Sequence, residues 1–125
     1  MKTWNILVTG SSGLIGSEAV EYFDRQGHRV WGVDNNMRRV FFGPQGDTTW
    51  NLERLRGVTK HFTPCDIDIR DRGRIEELFK ANRFDLILHC AAQPSHDKAR
   101  EIPLLDFEVN ALGTVLLLEA TRRHC

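Results

Sequence analysis

Trp4-Asn5-Ile6-Leu7-Val8-Thr9-Gly10-Ser11-Ser12-Gly13-Leu14-Ile15-Gly16 is the stretch that decides the fold of this chain. The apolar run Trp4 to Val8 reads as a buried strand. The glycines that follow read as a tight turn, and Leu14 to Gln26 reads as a helix. Working outward, a second apolar run, Val30-Trp31-Gly32-Val33, ends in Asp34. Strand, glycine turn, helix, strand and acid form the layout of a dinucleotide site. Gly10, Gly13 and Gly16 let the backbone turn sharply and bring N–H groups close to a pyrophosphate. Ser12, Leu14 and Ile15 belong to the same turn and helix start, where the helix dipole favours an anion. Asp34 can accept hydrogen bonds from both hydroxyls of an adenosine ribose. An ordinary strand-to-helix turn would explain the glycines alone, but not the helix and acid that accompany them. A Walker phosphate loop is excluded, because Ile15 stands where its second glycine should be and no lysine follows Gly16.

Beyond Asp34 the strand and helix signals keep alternating. Thr59 to Cys65, or slightly beyond, predicts a third strand. Asp71 suits the N-cap of an amphipathic helix carrying Ile75, Leu78 and Phe79 and ending near Asn82. Leu86 to Ala92 is nearly continuous in apolar residues, as expected of a strand buried on both faces of a parallel sheet. His89 within it reads as a satisfied core histidine. From about Leu104 to His124, Leu105, Val109, Leu112, Leu116 and Ala120 recur at helical spacing. Right-handed crossovers then predict an α/β, Rossmann-like doubly wound parallel sheet of about four strands in order 3-2-1-4. The 125 residues fit one dinucleotide-binding domain, residues 1–125.

Composition narrows the function classes. Lys plus Arg and Asp plus Glu both number 17, so the chain carries no basic excess for nucleic acid or anionic membrane. No uninterrupted apolar stretch approaches the length of a membrane span. The three cysteines lack a Cys-x-x-Cys spacing and read as reduced thiols, which suits a cytoplasmic protein. No metal site is expected: Cys90 and His96 lack a second ligand pair.

The connection between Asp34 and Thr59 is long for a compact domain. It holds Phe41-Phe42-Gly43-Pro44, with a short helix expected near Trp50 to Arg56. Its aromatics fit either a flap beside the cofactor or substrate, or a surface excursion packed on the second strand. Arg38 and Arg39 in this segment could meet a 2′-phosphate, whereas a carboxylate at Asp34 would repel one. The acid holds the more diagnostic position, which favours NAD over NADP.

The spacing Thr-Gly-x-x-Gly-x-x-Gly resembles that of the short-chain dehydrogenases/reductases, in particular the extended, NAD-dependent epimerase/dehydratase branch that acts on nucleotide sugars. Asp34-Asn35 resembles the acid–amide pair of that branch. Asp68-Ile69-Arg70-Asp71 resembles its segment after the third strand, where Asp68 and Ile69 would contact adenine; Asp66-Ile67 offers the same dipeptide two residues earlier. His89-Cys90-Ala91-Ala92-Gln93 is similar to the motif after the fourth strand, placing Ala91, Ala92 and Gln93 beside the pyrophosphate and nicotinamide ribose. Asn110 with Gly113-Thr114 matches Asn-x-x-Gly-Thr, whose Asn supports the active site. Within the branch, Arg38, Phe41 to Pro44, Trp50-Asn51, Gln93 to Asp97 and Asp106 to Asn110 most resemble the CDP-paratose (CDP-tyvelose) 2-epimerases. The resemblance implies NAD as cofactor, a nucleotide-sugar substrate near Gln93, Ser95 and His96, and a homo-oligomer. It also implies epimerisation by transient oxidation to a ketone and re-reduction.

The resemblance further implies a base, the Tyr of Tyr-x-x-x-Lys. The single tyrosine here, Tyr22, is followed four positions later by Gln26, and it lies in the first helix. No catalytic residue is therefore assigned within the chain. The expectation is an N-terminal portion that stops before the base and does not turn over alone. A UDP-hexose 4-epimerase or 4,6-dehydratase portion remains an alternative, as does a non-catalytic NAD(P)-binding module.

Overall fold

The computed structural model describes residues 2–125. Four parallel strands form one sheet in the order β3-β2-β1-β4: β1 (Asn5–Thr9), β2 (Arg29–Val33), β3 (Phe62–Cys65) and β4 (Leu86–His89). The expected order holds. β1 is central, pairing Ile6 with both Val30 and Leu86.

Alternation along β1 explains the two layers. Ile6 and Val8 face one side, with Val20, Val30 and Leu55. Leu7 faces the other, with Val33, Ile75, Phe79, Val109 and Leu117. Helices α1 (Leu14–Arg25) and α3 (Thr49–Val58) therefore cover the first face. Helix α4 (Arg72–Ala81) and the C-terminal helical segment cover the second. Asp71 caps α4 as expected, its side chain accepting from the Arg74 N–H.

Three segments depart from the sequence reading. β4 ends at His89 and Cys90 to Ser95 is loop, because the Thr9 Oγ1 accepts from the N–H groups of Cys90 (3.0 Å) and Ala91 (3.1 Å) and turns the chain away. β4 is also a sheet edge rather than a strand buried on both faces, so Leu86, Ile87 and Leu88 are half-buried and His89 is exposed. The helix expected over 104–124 is three pieces. α6 (Pro103–Phe107) leads through a π-turn at Glu108–Leu112 into α7 (Gly113–His124), and α5 (His96–Glu101) precedes them. The long connection holds the short helix expected near Trp50 to Arg56 as α3, and departs from the reading only in forming α2 (Met37–Phe42) and a 3₁₀ turn at Pro44–Gly46 before it.

Asp24, on α1, is a buried carboxylate with no counter-ion among the described residues. It accepts from the backbone N–H groups of Lys60 (3.1 Å) and His61 (2.6 Å), and so fastens the entry to β3 onto α1. Charge-assisted bonds of this kind satisfy a buried carboxylate without a cation.

Candidate dinucleotide-binding site

The carboxyl ends of β1, β2 and β4 converge on a cavity of about 260 Å³. Crevices at that end of an open parallel sheet are where ligands bind. The turn beneath it can be built only from glycine at two positions. Gly10 has φ +67°, and a Cβ there would stand 2.8 Å from the Ala91 nitrogen and 2.9 Å from the Cys90 carbonyl carbon. A Cβ on Gly16 would stand 2.0 Å from the Gly10 oxygen. Both obstacles are backbone and cannot rotate away. The Gly10 N–H donates to the Val33 oxygen (2.7 Å) and the Gly13 N–H to the Gly10 oxygen (3.0 Å), which closes the turn.

No side chain caps the N-terminus of α1. The N–H groups of Leu14, Ile15 and Gly16 thus have no partner within the helix. Leu14 and Ile15 are 81% and 67% exposed at the cavity mouth. Unpaired first-turn N–H groups and the helix dipole make this end a seat for an anion.

Asp34 stands at the tip of β2. Its Oδ2 accepts from the Ser12 N–H (3.0 Å) and its Oδ1 from the Asn36 N–H (2.8 Å). The carboxylate thereby joins the glycine turn to the start of the long connection. Asn36 adopts φ 61°. Its Oδ1 accepts from the Thr48 N–H and hydroxyl (3.0 and 3.1 Å), and its amide donates to Asp47 (3.0 Å). Hydrogen bonds from the Thr49 side chain and backbone, and then from Asn36, hold the Asp47 carboxyl down at about 2. The connection is neither a free flap nor a simple excursion. Phe41 is buried among the core residues Val33, Ile67 and Ile69, while Arg38 and Phe42 line the cavity with the guanidinium 5.3 Å from the ring centroid.

Of the residues singled out from the sequence, Gly10, Gly13, Leu14, Ile15, Gly16, Asp34, Asn35, Arg38, Ile69, Ala91 and Ala92 line this cavity. Ser12 faces a neighbouring depression shared with Asp34, Thr48 and Asp66. Asp68 turns to Arg70 instead, accepting from its backbone N–H (2.9 Å) and forming an ion pair (2.5 Å). Those bonds hold its carboxyl below the usual range. Ile67 and Ile69 on either side of it face the cavity. Phe41 and Phe42 of the long connection and Pro94 of the Gln93 to Asp97 stretch also line it, as does Met37, which the sequence reading passed over. The aromatic pair itself points to Phe41 and Phe42, but not to which of the two is buried.

Gln93 and Asn110 form a clasp beside the cavity. The Gln93 N–H donates to the Asn110 Oδ1 (2.8 Å), and the Asn110 amide returns a bond to the Gln93 oxygen (3.0 Å). Both amides donate to Asp106 Oδ1, at 2.7 and 3.1 Å. Gln93 is buried. Ser95 caps α5 by accepting from the Lys98 N–H (3.2 Å), and His96 begins that helix.

His89 is satisfied but is not a core residue. Thr9 Oγ1 already accepts two backbone N–H bonds, so its hydroxyl proton goes to His89 Nδ1 (2.7 Å). The ring then carries its proton on Nε2 and donates to Thr114 Oγ1 (3.1 Å), whose hydroxyl donates to the Asn110 oxygen (2.6 Å). Partial burial lowers the ring's pKa and favours this neutral form. Tyr22 is 56% exposed on α1 and lies outside the cavity. Among the described residues there is no cluster of His, Cys, Asp or Glu suited to a metal, and no helix long and apolar enough to cross a membrane.

The profile of the NAD dependent epimerase/dehydratase family matches residues 6–125. Among curated relatives, UDP-glucose 4-epimerase 2 of Oryza sativa subsp. japonica is 33% identical over 119 residues, covering 95% of this chain and 28% of the relative. UDP-glucose 4-epimerase of Drosophila melanogaster is 33% identical over 116 residues, covering 92% of this chain and 33% of the relative. Among solved structures, a UDP-glucose 4-epimerase of Stenotrophomonas maltophila with bound NAD and formylated UDP-arabinopyranose superposes with a TM-score of 0.79. It is 34% identical and covers 95% of this chain and 33% of that one. The Thermus thermophilus UDP-glucose 4-epimerase complex with NAD superposes with a TM-score of 0.76 at 36% identity, covering 96% and 34%. The chain thus spans about a third of the length of the curated relatives it matches.

Proposed function

This chain belongs to the NAD dependent epimerase/dehydratase family, and on that premise we propose that it is the NAD-binding portion of a nucleotide-sugar epimerase. The observation that carries the reading is the pairing of a glycine-only turn below an uncapped helix end with a carboxylate at the tip of the next strand. The cofactor fits the residues present. Gly10 and Gly16 let the turn close tightly beneath the helix end, and the N–H groups of Leu14 to Gly16 would bind the pyrophosphate. Asp34 would accept from the adenosine ribose hydroxyls, Arg38 and Asn35 would flank them, and Ile69 would line the adenine side. NAD supplies the hydride acceptor and donor when bound. Ala91, Ala92 and the clasped Gln93 would border its nicotinamide half, with Asn110 holding that loop in place.

For the substrate, we propose a CDP-sugar of the paratose/tyvelose type. The support is the resemblance of Arg38, Phe41 to Pro44, Trp50-Asn51 and Gln93 to Asp97 to that group. Ser95 and His96 would stand nearest the sugar. A UDP-hexose substrate is favoured instead by the UDP-glucose 4-epimerases that this chain resembles. We further read the protein as a cytoplasmic homo-oligomer, on its free cysteines and its family.

Titration of the purified polypeptide with NAD by calorimetry tests the cofactor reading: saturable one-to-one binding is expected, and no detectable heat of binding refutes it. The 125 residues contain no Tyr-x-x-x-Lys. Incubated with NAD and either CDP- or UDP-sugars, they are expected to yield no epimer above a protein-free control. Product formation by residues 1–125 would place the base elsewhere.

A further inference from the structure

We infer that Asn51, on the long connection, is a positioning residue for the phosphate-binding turn, and that it acts with Arg54 and Glu21. The inference rests on the NAD reading above and extends it to α3, which that reading leaves without a role. Asn51 is 4% exposed. Its Nδ2 donates to the Ser12 carbonyl oxygen at 2.8 Å, 39 residues away, and reaches the Gly13 oxygen at 3.5 Å. Its Oδ1 accepts from Arg54 Nε (2.9 Å), which fixes the amide's orientation. The Arg54 guanidinium in turn bonds Glu21 on α1, the helix that the turn opens into.

The geometry has a direct consequence for anion binding. In a trans peptide the carbonyl and the following N–H point in opposite directions. Holding the Ser12 carbonyl against α3 therefore turns that oxygen away from the cavity, while the N–H of the same peptide, on Gly13, closes the turn onto the Gly10 oxygen (3.0 Å). An oxygen facing the cavity would repel a phosphate; with the Gly13 carbonyl drawn towards Asn51 (3.5 Å) and into the first helical bond, the next N–H, on Leu14, stays available. Ser12 is pulled from its other side by Asp34, whose Oδ2 accepts its N–H. The turn is thus gripped by β2 through Asp34 and by α3 through Asn51. Gly13 also accepts the first helical bond, from the Ser17 N–H (3.0 Å), so the same peptide registers α1. A leucine of equal size would bury as well but could not hold a carbonyl. The burial of a polar amide here answers to the turn, not to the core.

The test compares NAD, ADP and adenosine binding to the protein and to Asn51→Asp. The substitution keeps the shape, retains the bond to Arg54 and sets a carboxylate oxygen against two carbonyl oxygens. The expected result is a loss of about tenfold or more for NAD and for ADP. Adenosine, which lacks phosphate, should bind as it does to the parent. Equal loss for all three ligands, or none for any, overturns the inference. If Asn51→Asp does not fold, Arg54→Leu replaces it, since that side chain is 39% exposed and releases the amide without burying a charge. A smaller loss, again confined to phosphate-bearing ligands, is expected there, and no such loss overturns the inference. Failure of the parent protein to bind NAD or ADP at all overturns the NAD reading itself, and this one with it.

Discussion

Replacing Asp34 by asparagine keeps its shape and removes its charge. Each carboxylate oxygen accepts one backbone N–H, from Ser12 and from Asn36. An amide offers one acceptor and one donor group, so one of those N–H groups must face the new NH₂. A hydrogen bond to a charged group contributes about 1.5–3 kcal/mol. Asp34 is half-buried, so water relieves part of the conflict and a cost of about 1–2 kcal/mol is expected before any ligand is added. At ordinary urea sensitivity that lowers the midpoint by roughly 0.5–1 M. Binding adds a separate loss, because ribose hydroxyls would no longer meet a carboxylate. About 1–3 kcal/mol, or roughly 5- to 150-fold in Kd for NAD, is the expected size for Asp34→Asn and Asp34→Ala alike. Charge also sets the cofactor preference. Two unit charges 4 Å apart near a protein surface interact by up to about 4 kcal/mol, and salt reduces this. The parent should therefore favour NAD over NADP by about tenfold or more, and both variants should narrow that gap. Calorimetric titration of each protein with NAD and NADP, beside urea melts, measures all three quantities. Unchanged NAD affinity in both variants, or a parent that prefers NADP, would refute the role given to Asp34. Lost stability with unchanged affinity would reduce it to a staple of the turn.

Gly10→Ala should cost about 2–4 kcal/mol of stability, since the residue sits at φ +67° and its Cβ would meet the backbone of Cys90 and Ala91; a denaturation midpoint equal to the parent's contradicts this. Because burial lowers the His89 pKa, the folded state binds fewer protons than the unfolded one. Stability should therefore fall as pH drops below about 6.5, where an unfolded histidine charges, and His89→Asn should flatten that slope; an unaltered slope refutes it. Asp47, held at about 2, contributes only while ionised. Its share should persist above about pH 4, be lost as pH falls towards 2, and vanish in Asp47→Ala melts. The polypeptide 1–125 should self-associate through β4, whose outer edge is unpaired and whose groove includes Leu117 and the 63%-exposed Leu118. Light scattering at rising concentration would show it, Leu118→Lys should weaken it, and a monomer throughout would contradict it.

The central βαβ unit was legible because each of its parts obeys a local rule. A short apolar run pointed to β1, glycine chemistry to the turn and the helix-like run after it to α1, and the strand order followed from crossover handedness. The register of β4 was not legible. Leu86 to Ala92 has the composition of a fully buried strand. What ends it is the Thr9 hydroxyl accepting the N–H groups of Cys90 and Ala91, a contact spanning 81 and 82 residues. The π-turn at Glu108–Leu112 was equally hidden, because one extra residue in a helical turn barely disturbs apolar spacing. At the site, Gly10, Asp34 and Ala91 could be read from spacing or resemblance. The orientation of Asp68 towards Arg70 and of its neighbours Ile67 and Ile69 towards the cavity could not. Alternation around one residue decides it, and the sequence offers two equivalent Asp-Ile pairs. Asn51 left a faint signal: a polar residue four before Leu55, on the face that α3 buries.

The long connection between β2 and β3 combines the two roles its composition suggested and is neither of them alone, bordering the cavity while Phe41 packs with Val33 of β2. A flap should be loosely attached, yet Asn36, Asp47, Thr48 and Thr49 bind one another at its base. A surface excursion should leave the site alone, yet Arg38 and Phe42 line the cavity and Phe41 enters the core. The segment instead has three attachments of different character. Asp34 ties its start to the glycine turn, Phe41 anchors its middle beneath the sheet end, and Asn51 ties its last helix back to the same turn. Two of those three grip Ser12, one through its N–H and one through its carbonyl. A glycine-rich turn is the most flexible backbone a chain can offer, and binding a pyrophosphate requires that freedom to be removed beforehand. Here the rigidity comes from outside the turn, from residues 22 and 39 positions further along. Substitutions in the connection that never touch a ligand should therefore act on phosphate binding, and those on the exposed faces of Val40 and Trp50 should not.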